Sequence, residues 1–252
     1  ISINDDNAAS IDNEKCISCG ACVYQCPFGA ISDKSYILNA IELIKNSDNN
    51  KNYKVYAIVA PSISSQFIYA KLGQVITGMK ELGFHTVIEA ALGADMVAMD
   101  ESKELAEKGF LTSSCCPAFV QYIKSAFPNL LELVSHNPSP MVALAKYIKQ
   151  NEPDAKVVFI GPCTAKKLEA QLENVKPYVD AVLTFEELQA LYDSRDIDIT
   201  TLEEGVLDNA SYFGRIFARS GGLSDAVAQA MKEQCIDFDL KPIACDGIEE
   251  CR

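Results

Sequence analysis

The chain has 252 residues, 48% of them hydrophobic and 23% charged, which suits one large domain or a small module joined to a larger one. Its formal net charge of −13, with no Lys/Arg cluster, excludes a phosphate backbone as a natural ligand, so no nucleic-acid partner is expected. The longest apolar stretches, such as 55–63, are too short to span a bilayer and are broken by Pro61, and no secretory leader opens the chain.

No membrane partner is therefore expected, and a cytoplasmic location is. Ten cysteines are too few for a disulfide scaffold, and their clustering points elsewhere: four lie within 16–26, and Cys115 and Cys116 are adjacent. Adjacent cysteines pair poorly with each other, so metal or redox chemistry is the better reading.

The first segment, to residue 46, carries Cys16-Ile-Ser-Cys19-Gly-Ala-Cys22-Val-Tyr-Gln-Cys26-Pro27. This is the C-x2-C-x2-C-x3-C-P spacing of bacterial ferredoxins, in which one loop wraps a 4Fe-4S cluster. Gly20 permits the tight turn, and Pro27 leads the chain away. Four structural zinc ligands fit this spacing and the proline less well. In two-cluster ferredoxins the fourth cysteine serves the other cluster, and no second run of this kind is present. With Ile in place of Met at position 1, the expectation is that sequence is missing upstream.

Residues 45–52 form a polar run, expected to be a linker or exposed loop. Beyond it, 55–61 reads as a buried strand. Ile68, Leu72, Val75, Ile76, Met79 and Leu82 recur at helical spacing, with Gly83 as the stop. A short strand is predicted over 86–89, a helix through Leu105, and a third strand over 110–113 that delivers Cys115. Ser139-Pro140 opens a helix carrying Val142, Leu144, Ala145 and Ile148. The strand 156–161 delivers Pro162-Cys163, and a strand at 181–184 precedes a helix from Phe185. Strands alternating with helices predict parallel α/β layers, with ligand sites at the carboxyl ends of strands. Gly221-Gly222 reads as a turn before a helix, since no phosphate-loop fingerprint accompanies it.

Two further motifs carry a family resemblance. Thr112-Ser-Ser-Cys-Cys-Pro117 with Ala-Phe119, and Gly161-Pro-Cys-Thr-Ala-Lys-Lys-Leu-Glu169, resemble the first two of three motifs of iron-only (FeFe) hydrogenases in order and approximate spacing. Ser220 to Gly222 resembles another family segment. The family's third motif, a glycine-rich pair of cysteines separated by three residues, is not found before Arg252. The expectation is therefore a piece of a large subunit that lacks this motif.

The resemblance implies two parallel-sheet α/β lobes of the iron-only hydrogenase type, preceded by a small ferredoxin-like α+β segment. The divisions would be 1–46, 54–155 and 156–252, with the active site in the crevice between the lobes. It implies that Cys116 and Cys163 are two of four thiolates on an active-site 4Fe-4S cluster, with a diiron subsite beside it in the intact parent. Cys115 would be the thiol that exchanges protons there; a free thiol titrates near roughly 8.5. Lys166 would hydrogen-bond a cyanide ligand of the diiron centre, with Glu169 nearby. Glu101, Glu104 and Ser135 would relay protons to the surface.

Two departures bear on the diiron pocket: Gly161 stands where many members have Met, and Phe119 replaces the common Trp. The implied activity is reversible oxidation of hydrogen to protons and electrons, exchanged with a ferredoxin-type or other redox partner. A hydrogenase-like iron–sulfur assembly or sensory protein without a diiron site is the alternative.

Apart from the family, Glu101 and Glu104 at helical spacing read as a solvated helix face. The Cys115-Cys116 pair could equally be small buried residues at a strand end. His85 and His136 read as ordinary surface or capping residues, and Cys235 as a buried thiol. Cys245 and Cys251 sit in surroundings unlike the third motif and are not counted as ligands.

Overall fold

The computed structural model describes residues 1–4, 8–12 and 15–243. The chain opens with a small α+β unit: β1 (Ser2–Ile3) pairs antiparallel with β2 (Ala9–Ser10), and α1 (Ala21–Gln25) follows. No residue of α1 is buried, so this unit has little apolar holdfast of its own. Next comes α2 (Ile37–Asn46), which buries Ala40 and packs Ile37, Leu43 and Ile44 on the main core.

The main body alternates β3 (Val55–Val59), α3 (Ile63–Gln66), α4 (Leu72–Leu82), β4 (Thr86–Glu89) and α5 (Ala90–Lys108). It continues with α6 (Pro117–Ala126), a 3-10 turn (Pro128–Leu133), α7 (Pro140–Asn151), β5 (Lys156–Ile160) and α8 (Ala165–Glu169). It closes with β6 (Ala181–Leu183), α9 (Phe185–Ser194), a 3-10 turn (Ile199–Thr201), α10 (Tyr212–Ile216) and α11 (Gly222–Glu233).

The four strands form one parallel sheet in the order β4-β3-β5-β6. Central strands β3 and β5 are near-continuous apolar runs because helices cover both faces. Ile58, Met79, Leu144, Ile160, Leu183 and Leu188 lie in the core around them. A second cluster joins α5 to α11 through Ala94, Val97, Ala98, Val227 and Met231, with Phe217 between. Small residues let α5 pack closely: a Cβ on Gly93 would lie 2.1 Å from the Pro140 carbonyl oxygen. The fold is thus mixed α/β, a ferredoxin-like segment ahead of parallel-sheet lobes, with both halves of the body contributing strands to one sheet.

Three local expectations need correction. Residues 110–113 form no strand; the contact is one parallel bridge, Thr112 to Val134. The ladder stops there because Ser113 and Ser114 turn their hydroxyls to Glu101 and to the Asn137 carbonyl. The polar run 45–52 is, as expected, largely exposed, and beyond the end of α2 it is an anchored turn. Asp48, Asn49 and Asn50 take left-handed φ of 48, 54 and 63°, which Asn and Asp tolerate. Asn50 then donates to the Gly83 carbonyl at 3.0 Å and accepts from the Val55 amide at 2.9 Å. The helix predicted from Ile68 begins only at Leu72, and Ile68 is exposed. Cys235 is exposed, because it follows α11 with a left-handed φ of 55° that carries it off the helix.

No helix among the described residues is long and apolar enough to cross a membrane.

Candidate functional site

The parallel sheet sets its carboxyl strand ends side by side. The Ala60 amide bonds the Ile160 carbonyl at 2.8 Å, and the Gly161 amide bonds Leu183 at 3.0 Å. Gly161 thus emerges beside Ala60, and Pro162-Cys163 turns directly into the short helix α8. A Cβ at Gly161 would stand 2.7 Å from the Phe159 ring and 3.1 Å from the Ala60 Cβ. The Phe159 ring therefore crowds the place where a side chain at 161 would start.

On α8, Lys166 and Glu169 are three residues apart and both buried, and their charged groups meet at 2.7 Å. The Lys166 ammonium also donates to the Cys115 carbonyl at 3.1 Å. That bond draws the paired-cysteine turn onto the Pro-Cys turn, so Cys115, Lys166 and Glu169 come together. Cys116 is the N-cap of α6 and exposed, while Cys163 is partly buried.

The carboxylates lie on the α5 side of the same turn. Glu101 is 1% exposed and accepts from the Ser113 hydroxyl at 2.7 Å. Ser113 Oγ accepts in turn from the Cys115 amide at 3.3 Å. One turn along α5, Glu104 accepts from the Ser135 hydroxyl at 2.9 Å and from the Asn137 carboxamide at 2.9 Å. Lys108 pairs with Glu104 at 2.7 Å, and exposed His136 lies 3.2 Å from it. Glu101 is therefore a buried carboxyl instead of part of a solvated face.

Electrostatics separate these groups. Burial pushes the Glu101 carboxyl above the usual range, against the opposing hydroxyls of Ser113 and Ser135. Burial likewise pushes the Cys115 thiol up, against the Ser113 hydroxyl and the Lys166 charge. Burial also raises Glu104, but Lys108, Ser135 and the His136 amide outweigh it and hold the carboxyl below its ordinary value. The buried Glu101 carboxyl is thus shifted toward its proton-bearing form and the outer Glu104 toward its charged form.

The ferredoxin-type loop supplies Cys16, Cys19, Cys22 and Cys26 as free thiols. Among the described residues no three His, Cys, Asp or Glu side chains converge on a metal position. The donor chemistry still suits a 4Fe-4S cluster, since Cys16, Cys19 and Cys22 offer three thiols at the ferredoxin spacing, Cys26 is the position that serves a second cluster in two-cluster ferredoxins, and backbone amides already point at sulfur. The Ser18 amide donates to Cys16 Sγ at 3.4 Å, and the Ala30 amide to Cys26 Sγ at 3.3 Å. Amides of Phe28 and Ala30 hold the Cys26 thiol below its ordinary value, favouring thiolate. For an active-site cubane the described residues offer Cys116 and Cys163, half of the thiolates needed, and do not by themselves complete that site. Cys245 and Cys251 lie outside the described residues.

The sequence reading overlooked Ser113, Asn137 and Lys108, which join or flank the carboxylates, Thr164, which bonds within the ferredoxin-type loop, and Lys167, which meets Asp33 and Lys34 beyond it. Ser113 stands two residues before Cys115, and that spacing was the available signal. The contacts of Asn137 and Lys108 depend on how loops meet α5 and leave no local mark.

Residues 53–252 match the family model described as "Iron only hydrogenase large subunit, C-terminal domain", and residues 9–32 match "4Fe-4S binding domain". The chain is 29% identical to iron hydrogenase 1 of Clostridium pasteurianum over 247 residues, covering 86% of this chain and 42% of that one. It is 27% identical to the cytosolic Fe-S cluster assembly factor NAR1 of Eremothecium gossypii over 205 residues, covering 75% and 44%. A solved structure of apo FeFe-hydrogenase HydA1 from Chlamydomonas reinhardtii, a single-residue variant, superposes with a TM-score of 0.66 at 26% identity, covering 79% of this chain and 58% of that one. The chain thus spans well under two thirds of the length of these relatives.

Proposed function

We propose, for a chain that belongs to the iron-only hydrogenase large-subunit family, that its protein reversibly oxidises hydrogen to protons and electrons. The observation that carries this reading is the row of proton-bearing groups beside Cys115: Ser113, held by the Cys115 amide, bonds Glu101, and one turn along α5 Ser135 bonds Glu104 beside the exposed His136. Groups able to hold and release protons, arranged from a buried carboxyl toward the surface, serve a reaction that produces or consumes protons.

In this reading the bound 4Fe-4S and diiron groups supply the electron chemistry. The chain's own residues do the rest. Cys115 holds a proton at its thiol, and Ser113 passes it by rotating its hydroxyl. Glu101, whose proton-bearing form burial favours, would accept it at one oxygen as it releases a proton from the other, and Ser135 would pass that proton to Glu104 near the surface. Lys166, fixed by Glu169, is the cation that would face an anionic ligand of the diiron centre. Cys116 and Cys163 would hold the active-site 4Fe-4S cluster, and the 16–26 loop would hold another that exchanges electrons with a ferredoxin-type or other redox partner. The divisions 54–155 and 156–252 would form the lobes about the site, with 1–46 as the electron-entry segment, in a cytoplasmic protein.

A second reading, an iron–sulfur assembly or sensory protein, is favoured by Gly161 with Phe159 packed against it, and by the likeness to assembly factors. This chain alone is expected to be inactive, so the test is hydrogen evolution from reduced methyl viologen by the full-length parent protein, reconstituted anaerobically with iron, sulfide and a diiron cofactor. Hydrogen release is expected. Full iron loading without hydrogen would contradict the hydrogenase reading and favour the second.

A further inference from the structure

The stretch 163–169 has two faces with different work. Cys163, Lys166 and Glu169 recur every three residues and belong to the candidate site. Thr164 and Lys167, one position on and also three apart, face the N-terminal segment. The Thr164 hydroxyl donates to the Ser18 carbonyl at 2.8 Å, within the 16–26 loop. Gly20 passes so close that a Cβ there would lie 3.0 Å from Thr164 Oγ1, and its φ of +77° suits the glycine. Lys167, only 6% exposed at its side chain, pairs with Asp33 at 2.5 Å and with Glu187 at 2.9 Å. It also donates to the Lys34 carbonyl at 3.0 Å.

These polar ties matter because apolar burial does little for the loop. Its helix α1 buries no residue, and Tyr24 and Phe28 are almost fully exposed. We propose that Thr164 and Lys167 are positioning residues that seat the ferredoxin-type loop on the Cys163 turn and fix the separation of the two thiol sites. The inference rests on the reading that the loop holds a 4Fe-4S cluster, and it adds a role that the proton path does not use. Because Thr164 adjoins Cys163 in the chain, a shift of the loop is passed directly to a candidate ligand of the other site.

The test compares the whole chain with Thr164→Val and Thr164→Ser, each with and without added iron and sulfide. Amide hydrogen exchange over 15–32 is read with β3 and β5 amides as internal controls. The midpoint potential of the loop cluster is read by electron paramagnetic resonance. Thr164→Val is expected to exchange about tenfold faster over 15–32, with the controls unchanged and the potential displaced. Thr164→Ser, which keeps the hydroxyl, should restore both. Asp33→Asn gives an independent variant at the Lys167 tie, with the same expected rise in loop exchange. Unchanged loop exchange in Thr164→Val, or equal loss in Thr164→Ser, would overturn the proposal. A wild-type chain that takes up no iron would sink the cluster reading instead, while exchange in the iron-free chain still decides the seating.

Discussion

In the full-length parent protein, if it evolves hydrogen as proposed, Glu101→Gln is expected to lower that rate by about 10²–10⁴-fold while leaving iron content unchanged. The substitution keeps an oxygen that can accept from Ser113 and keeps the shape of the side chain, so packing around α5 should survive. What it removes is a group able to take and give a proton between Ser113 and Ser135. Burial raises the Glu101 carboxyl, so its folded-state value exceeds its unfolded one. Its contribution to stability is then fully present below the ordinary carboxylate range and is lost as pH rises through the raised value. At neutral pH the Gln variant should therefore be more stable than the native chain, with a flatter stability profile across that window. Stability is read by urea denaturation at several pH values, and activity by gas chromatography. A variant that is less stable at neutral pH, or fully active, would contradict this account of the carboxyl.

Lys167→Met is expected to destabilise the fold by about 3–5 kcal/mol, because removing one partner of a buried ionic group leaves the others uncompensated. Glu187 would remain buried, still accepting from the Thr184 amide at 2.7 Å and the Tyr36 amide at 3.3 Å, but without its cation. At roughly 2–4 °C per kcal/mol for a chain of this size, the melting temperature should fall by about 10 °C. Circular dichroism melting measures it. Glu187→Gln in the same chain should recover part of the loss, since it removes the orphaned charge. A melt within a degree of the native chain would show that the Lys167 cluster carries no net stabilisation.

The sheet was legible because its strands are unusually plain. Val55–Val59 and Lys156–Ile160 are short apolar runs followed by Pro-containing turns, and both are central strands. Helix α7 was equally plain, with Ser139 before Pro140 at its first turn. The stretch 110–113 misled because Phe110, Leu111 and β-branched Thr112 suit a strand, while Ser113 bonds across to α5 and the next residue, Ser114, to the Asn137 carbonyl. Local patterning cannot register such distant partners. At residues 45–52 polarity rightly marked an exposed loop, but not that Asn50 would bridge Gly83 and Val55. In the candidate site, the cysteines and Lys166 stand in contiguous motifs and were visible. The burial of Glu101 was not, because helical spacing leaves open which face meets the core. The ties of Thr164 and Lys167 join residues more than a hundred positions apart, beyond any local signal.

The central claim, an iron–sulfur protein whose N-terminal loop carries a cluster, is tested most directly by iron and acid-labile sulfide counts on the anaerobically reconstituted chain. Cys19→Ser and Cys116→Ser are measured beside it. The account predicts that Cys19→Ser loses the loop cluster's iron and sulfide together; full retention of both in that variant would contradict it.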